Sequence, residues 1–555
     1  MHFSRPPMCV LALLGLLPAA LASPPNYNDF GTNGTWLSWL TSNATRQAST
    51  VSPNYQNQST ELIWTFSGFN ASAIDPLVRV GPQKLILDSM NRQRLFRGVN
   101  VVYKAFPYYP RLDAWNATDS FTEDDAHFLA DVNLNIIRLA IMWSGVEPDQ
   151  GSYNQSYIDT VKGIVEMCAR YGIYVLLDLH QDILSEKICG EGLPGWATDT
   201  SSSGLVQPPP FPMPLQWGPW SDPIPTLKEC KSHPWPNYQL TPAAAKAYQN
   251  LYDNKNGYAD ALAAFWKKVA SEFKNYTNVI GYDLLNEPFA GDLWGNPLVL
   301  AIEGFSARYN LQPLYEKIHR AIRSVDTEKF IFFESPTTDN NYNGFTQPPG
   351  GFAYGNRSII SYHYYHPMPN RFTLDVHIQK RLADAARLNC GLMMTEFDIA
   401  KANIGLPQLL DHADAGLQSW LGWEYKRLVP ITGFGDSFFN DTTGLLHPRT
   451  VSELSRTYPS ATAGNLISFN FRRSDAQFTM TYAARSQSVG QLTLIQVQRA
   501  VHYPSGVRVS ITGPAVWKNC GEISSVISVA TTALAVDGSI ITVTITNEPP
   551  LACPS

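Results

Sequence analysis

A chain of 555 residues exceeds the size at which one hydrophobic core keeps growing, so two or more domains are expected. Charged residues make up 16 %, aromatics 12 %, and the formal net charge is −6, which excludes a polyanion-binding protein; no nucleic-acid partner is expected. Low charge with many aromatics suits a globular surface that meets sugar rings or lipid.

The first 22 residues read as a cleaved signal peptide. Arg5 supplies the positive start, Cys9 to Ala20 the apolar stretch, and Ala20-Leu21-Ala22 the small-residue cleavage pattern. Pro18 interrupts the stretch, which is also too short for a membrane anchor. No later window offers an apolar span, so a secreted or lysosomal (luminal) product is expected. Asn33, Asn43, Asn57, Asn70, Asn116, Asn154, Asn275, Asn356 and Asn440 each sit in Asn-x-Ser/Thr, the pattern of a glycoprotein. After the leader, six cysteines remain, and sequence alone leaves their pairing open. Proximity along the chain favours Cys189–Cys230 and Cys520–Cys553, with Cys168 and Cys390 as free, buried thiols. Paired CxxC spacing is missing, so no structural zinc is expected.

Residues 23–80 form a polar extension. From Leu85, continuous apolar runs alternate with amphipathic stretches: 96–102, 136–141, 173–179, 279–285, 329–334, 359–364, 391–396 and 419–424. Unbroken apolar runs mark strands covered on both faces, and eight of them predict a (β/α)8 TIM barrel over 81–455. Between the third and fourth runs, residues 198–242 hold eleven prolines together with Phe211, Trp217, Trp220, Trp235 and Tyr238. So long an excursion is either functional, with aromatics that present a lipid, or a surface loop tied down by Cys189–Cys230. After Pro459 the runs become short and β-branched, at 465–471, 477–484, 491–498, 506–512, 524–530 and 540–546. They predict an all-β sandwich over 456–555, a packing domain more than a sugar-binding module.

Two carboxylates stand out. Glu287 closes the fourth run in Asn286-Glu287-Pro288, and Glu396 closes the seventh, 109 residues on. Barrel active sites gather at the C-terminal strand ends, and a pair of acids there can cleave an acetal. One donates a proton to the leaving oxygen while the other attacks the anomeric carbon. Other strand ends add Arg138, then His180 and Asp182 near Gln181, His363 with Tyr365, and Trp423 on the eighth run. Arg138 can hold a carboxylate ionised, Asn286 can meet a sugar 2-hydroxyl, and Trp423 can floor a pyranose.

These motifs resemble glycoside hydrolase family 5, in the clan of barrel-type retaining hydrolases. Gly98-Val99-Asn100-Val101-Val102-Tyr103-Lys104, Met142 to Pro148, Asp178-Leu179-His180-Gln181-Asp182, Cys189 to Trp196 and Asn286 to Asp292 resemble the endoglycoceramidases more narrowly. The resemblance implies Glu287 as acid/base and Glu396 as nucleophile. Arg138, His180, Asn286, His363 and Tyr365 would be their support, Lys104 and Asp182 sugar contacts, and Trp423 the stacking platform. It further implies a glycosphingolipid substrate, cleaved between oligosaccharide (or glucose) and ceramide. Transient contact with a membrane surface or lipid micelle, and help from an activator protein or detergent, would follow; no metal or organic cofactor is implied. Two readings stay open beside it. One is another β-glycosidase on the same machinery: a glucosyl- or galactosylceramidase, a steryl glucosidase or a β-glucanase. The other is a non-catalytic glycolipid-binding protein.

Overall fold

The computed structural model describes residues 74–200, 224–231, 236–336, 338–339, 341–365, 373–399, 405–427, 437–520 and 524–550. The leader, Asn33, Asn43, Asn57, Asn70, Phe211, Trp217, Trp220, Trp235 and Cys553 lie outside the described residues.

Eight strands close into a parallel barrel: β4 (Arg97–Val101), β5 (Ile136–Ala140), β6 (Tyr174–Asp178), β7 (Val279–Asp283), β8 (Phe330–Phe333), β9 (Ser358–Tyr364), β10 (Gly391–Phe397) and β11 (Trp420–Gly422). Every residue in them is buried, which is why they read as unbroken apolar runs. Helices cover the outside. Gln155–Arg170, for example, starts where the Asn154 side chain accepts from the Tyr157 N–H at 3.2 Å. It buries Ile158, Val161, Ile164, Val165 and Cys168 on one face, at helical spacing. Close strand approach needs glycine at position 98, where a Cβ would lie 1.9 Å from the Ile136 carbonyl oxygen. Register places Asn100 beside Arg138, Asp178 beside Asp283, and Glu396 beside His363. The polar strand ends therefore converge on one rim.

The other described strands build two antiparallel sheets. One runs β1-β2-β3-β12-β15-β18-β17 and the other β13-β14-β19-β16, where β1 is Leu77–Val80, β2 Ile86–Asp88, β3 Gln93–Arg94, β12 Tyr458–Thr462, β13 Asn465–Arg472, β14 Gln477–Ala483, β15 Leu492–Gln496, β16 Val507–Thr512, β17 Ala515–Trp517, β18 Val526–Thr531 and β19 Ile540–Asn547. In β14 burial alternates residue by residue, the mark of one wet face and one dry one. The division drawn from sequence needs correction here. Residues 77–94 were split between the extension and the barrel, yet β3 pairs with β12, Arg94 opposite Ala461 and Gln93 opposite Thr462. The barrel proper begins at Arg97. Strands of two to four residues are too short to show a period of their own.

A buried ion cluster joins the two units. Asp414 takes Arg97 Nη2 at 2.7 Å and Arg456 Nε at 2.9 Å, and Arg456 Nη2 donates to the Phe471 carbonyl at 3.0 Å. The Arg97 guanidinium also lies over the Trp420 and Tyr458 rings, 5.0 and 5.2 Å from their centroids. Desolvation offsets much of such an attraction, so the cluster sets geometry more than it adds stability.

Cys189 and Cys230 form a disulfide, as expected. Cys520 is disulfide-bonded, and its expected partner Cys553 lies outside the described residues. Cys168 and Cys390 are buried and free; burial pushes the Cys390 thiol up to about 12 and the Cys168 thiol further, so both stay protonated and inert. Among the described residues, no helix is long and apolar enough to cross a membrane.

Candidate active site

Beyond β7 the chain turns sharply, and Glu287 adopts a left-handed φ of 37°. A non-glycine residue stays there only when its surroundings hold it. They do. Gln181 Nε2 donates to the Asn286 and Glu287 carbonyls at 2.6 and 3.3 Å, and the Glu287 N–H donates to Glu334 Oε2 at 2.9 Å. Asn286 N–H meets the Leu179 carbonyl at 3.0 Å, fixing the turn to the end of β6.

Arg138, fully buried on β5, is the hub beneath the rim. Its Nε donates to Asp283 at 2.9 Å, Nη1 to Glu396 Oε1 at 2.8 Å and to Asn100 at 3.2 Å. Its Nη2 donates to Asp178 at 2.8 Å and Asn286 Oδ1 at 2.9 Å. Burial alone would lower the guanidinium pKa, but Asp178, Asp283 and Glu396 outweigh it and hold it high. The other oxygen of Glu396 accepts from the Tyr365 hydroxyl at 2.8 Å.

His363 Nδ1 lies 2.8 Å from Glu287 Oε1, 3.4 Å from Glu396 Oε2 and 3.6 Å from Glu334 Oε1. Burial lowers this imidazole to about 4, so it is neutral near pH 7 and its Nδ1 can donate to a carboxylate. Burial, and then the charge of Asp182, raise Glu287 to about 7. Burial and the neighbouring Glu287 raise Glu334 well above the usual carboxylate range, and its Oε2 accepts from the Glu287 N–H. Oxygens of Glu287 and Glu396 and a ring nitrogen of His363 lie within 4.8 Å of one another, a spacing that could also hold a cation. The bonds to Arg138, Tyr365 and His363 already engage these atoms, so the cluster is organised for proton chemistry.

A second charged group flanks the pair. Lys104 pairs with Asp182 and, at 3.2 Å, with Glu191. Despite burial, Lys104 holds Asp182 well below its usual value, while burial raises Glu191 to about 8. His180 Nδ1 lies 2.9 Å from Asp178 Oδ2; burial opposes its charge, but Asp178 and Asp182 raise it to about 9, so it is an imidazolium. Its ring stacks on Trp423 at 5.1 Å and 13°, and Lys104 Nζ lies 4.9 Å from the indole centroid. The indole is thus 8 % exposed, and the open platform expected from sequence is mostly covered in this structure.

The structure therefore brings Lys104, Arg138, His180, Asp182, Asn286, Glu287, His363, Tyr365, Glu396 and Trp423 to one rim. It qualifies one expectation: Asn286 already accepts from Arg138 and donates to the Gln181 carbonyl at 3.1 Å, which leaves one N–H for a sugar. Sequence reasoning missed Glu334, Glu191 and Glu424. Glu334 ends the fifth apolar run just as Glu287 ends the fourth, and that signal was available. Glu424 is fully buried, neither of its oxygens has a hydrogen-bond partner among the described residues, and burial raises it to about 8.

Residues 96–427 match the family Cellulase (glycosyl hydrolase family 5), and residues 456–545 match the Glycoside hydrolase family 5 C-terminal domain. The chain is 40 % identical over 446 residues to an endoglycoceramidase of Cyanea nozakii, covering 78 % of this chain and 87 % of that relative. It is 40 % identical over 442 residues to an endoglycoceramidase of Hydra vulgaris, covering 79 % and 84 % respectively. Among solved structures it is similar to endo-glycoceramidase II from Rhodococcus sp. in a cellobiose-like imidazole complex. There the identity is 25 % and the TM-score 0.63, covering 84 % of this chain and 99 % of that one. With a family 5 barrel and a family 5 C-terminal domain in one chain, the protein belongs to glycoside hydrolase family 5.

Proposed function

We propose that the chain is a retaining hydrolase that cleaves the β-glycosidic bond between oligosaccharide, or glucose, and ceramide. The observation that carries this reading is the carboxylate pair, Glu287 and Glu396, in which one oxygen of each lies within 4.8 Å of one of the other. Retention needs carboxyl groups about 5–5.5 Å apart, whereas inversion leaves room for a water at about 6.5–9.5 Å. The ceramide half of the proposal is supported by the relatives, both endoglycoceramidases at 40 % identity over most of their length.

Glu287, protonated, gives its proton to the ceramide oxygen as the glycosidic bond breaks. Glu396 attacks the anomeric carbon and forms a glycosyl ester, and ceramide leaves with its hydroxyl restored. Glu287, now a carboxylate, takes a proton from water; the hydroxide displaces Glu396, and oligosaccharide is released with the original configuration. Arg138 and Tyr365 each hold one oxygen of Glu396, so its orientation is set before substrate arrives. His363 and Glu334 keep Glu287 in place between its two protonation states.

Incubation with lactosylceramide, a ganglioside and glucosylceramide, followed by mass spectrometry of both product halves, tests the reading. Ceramide with intact oligosaccharide supports it. Release of single terminal sugars, or no turnover of any lipid, refutes it.

Glu287 must be protonated to act as the acid, and its pKa is raised to about 7. The alkaline limb of the first chemical step should therefore fall as pH rises through that value. The measurement is kcat/KM against pH on a ceramide-linked substrate; a level profile to about pH 9 would exclude the assignment.

We further propose that the protein is a secreted or luminal glycoprotein, on the leader pattern, the sequons and the Cys189–Cys230 bond. Asn154, Asn275 and Asn356 are exposed. Peptide mass mapping before and after N-glycosidase treatment should find glycan on Asn275 and Asn356. Unmodified peptides at both in secreted material would end the idea.

A further inference from the structure

The loop that leaves β4 carries Lys104 into the sugar site and then continues as Phe106 to Tyr109 along the wall of a separate cavity of about 320 Å³. Phe106, Tyr108 and Tyr109 line it from this loop, Ser144 from beyond β5, and Glu186 and Pro194 from beyond β6. All of these segments follow C-terminal strand ends, so the cavity opens on the same rim as the carboxylate pair. It lies in the quadrant of β4, β5 and β6, on the side of Lys104 and Asp182. Glu287, Glu334 and His363 belong to the ends of β7, β8 and β9, where the leaving group receives its proton.

Tyr108 is the partition between the two sites. It packs against the cluster of Val102, Ala140, Met142 and Trp423 on one side and lines the cavity on the other. Its backbone is left-handed, with φ 67°, an unfavourable position for a bulky residue. The Tyr157 hydroxyl, which donates to the Tyr108 carbonyl at 3.1 Å, helps to hold it there. Phe106 stands edge-on to Tyr108, with centroids 6.2 Å apart, and is 84 % exposed. An aromatic face held out beside hydroxyl groups on a cleft rim is the combination that receives a pyranose ring, which has apolar C–H faces and a polar edge. The volume lies at the lower end of the roughly 300–1,000 Å³ range for small-molecule sites.

We propose that this cavity is a subsite for the third sugar of the headgroup, counted from ceramide, and that it takes a neutral sugar. Among the described residues its one charged lining residue is Glu186, and no described Lys or Arg lines it to pair with a sialic acid carboxylate. Phe106 stacks on the ring, while Ser144 and Glu186 meet its hydroxyls. The proposal rests on the hydrolase reading above, in that the carboxylate pair defines where the first sugar lies.

The test compares kcat/KM on lactosylceramide, a neutral trihexosylceramide and a sialyllactosylceramide, using the wild type, Phe106→Ala and Glu186→Gln. Wild type should favour the neutral trisaccharide over the disaccharide by about 3- to 10-fold, the scale of one ring contact. Phe106→Ala should remove that advantage and act on the trisaccharide alone, and Glu186→Gln should narrow the gap to the sialylated substrate. Equal losses on two- and three-sugar substrates, or no trisaccharide advantage in the wild type, would overturn the proposal. Asn154 and Ser156 of one sequon also line the cavity, so the protein's own glycan is the rival occupant. A trisaccharide rate that rises on deglycosylation would show that the glycan sits there, and would likewise overturn it. If no ceramide-linked sugar is cleaved, the hydrolase reading fails instead. Saturation-transfer NMR with the free neutral trisaccharide then decides the subsite. Saturation of the third ring in wild type, lost in Phe106→Ala, supports it; its absence in wild type refutes it.

Discussion

Glu396→Gln should lose turnover of every β-glycoside by at least about 10⁴-fold, because no other group can form the glycosyl ester. Glu287→Gln should separate substrates by leaving group. On a ceramide-linked sugar the leaving alkoxide needs a proton, and the loss should be on the order of 10²–10⁴-fold. On an aryl lactoside with a good leaving group it needs none, so the first step should survive and the glycosyl-enzyme should accumulate as a burst of phenol. Rapid-mixing measurement of that burst in both variants separates the roles. Equal loss in the two would contradict the division of labour between Glu287 and Glu396.

Replacing Arg138 by Met should be the most destabilising single change at the rim. The guanidinium balances Asp178, Asp283 and Glu396, all buried, and holds Asn100 and Asn286 as well. Removing one member of a buried ion pair typically costs about 3–5 kcal/mol, since the remaining charge has neither water nor partner. The pH dependence carries the sign. Asp283 is already raised to about 6, by burial foremost, with Arg138 acting against that rise. Without Arg138 its folded pKa climbs further above the unfolded value. The folded state then binds more protons than the unfolded one, and stability falls as pH rises between the two values. The penalty in Arg138→Met should therefore be larger at pH 8 than at pH 5, as read from urea unfolding at both. A penalty independent of pH would mean that Arg138 contributes packing and not charge balance.

The eight barrel strands were legible because burial on both faces writes itself locally, as unbroken apolar runs that the structure matches within two residues at either end. Glu287 and Glu396 were legible for a related reason: a carboxylate that closes such a run has nowhere to be but the rim. The short strands β1 to β3 were not legible, because nothing in nine residues announces them and the pairing that ties them to the C-terminal domain, β3 with β12, lies hundreds of residues along the chain. Glu334 was legible as a strand-end carboxylate, but its contact with Glu287 was not, because the two meet across neighbouring strands, a relation of register and not of spacing.

Sequence by itself thus determined the barrel and the all-β partner and put nine of the ten rim side chains at strand ends, with Lys104 coming only from the family resemblance and the Cys189–Cys230 pairing left open. What it determined is recorded in local composition or in the order of strands around a closed sheet. Tertiary structure alone decided what those side chains do to one another. It made Arg138 the shared counter-charge of three acids, spent most of the Asn286 amide on protein partners, and laid His180 over Trp423. It also left Glu287 beside a neutral His363, with a pKa near 7. Protonation and orientation depend on distances of a few ångströms between strands far apart in the chain, and electrostatic interaction in a buried site changes steeply over such distances.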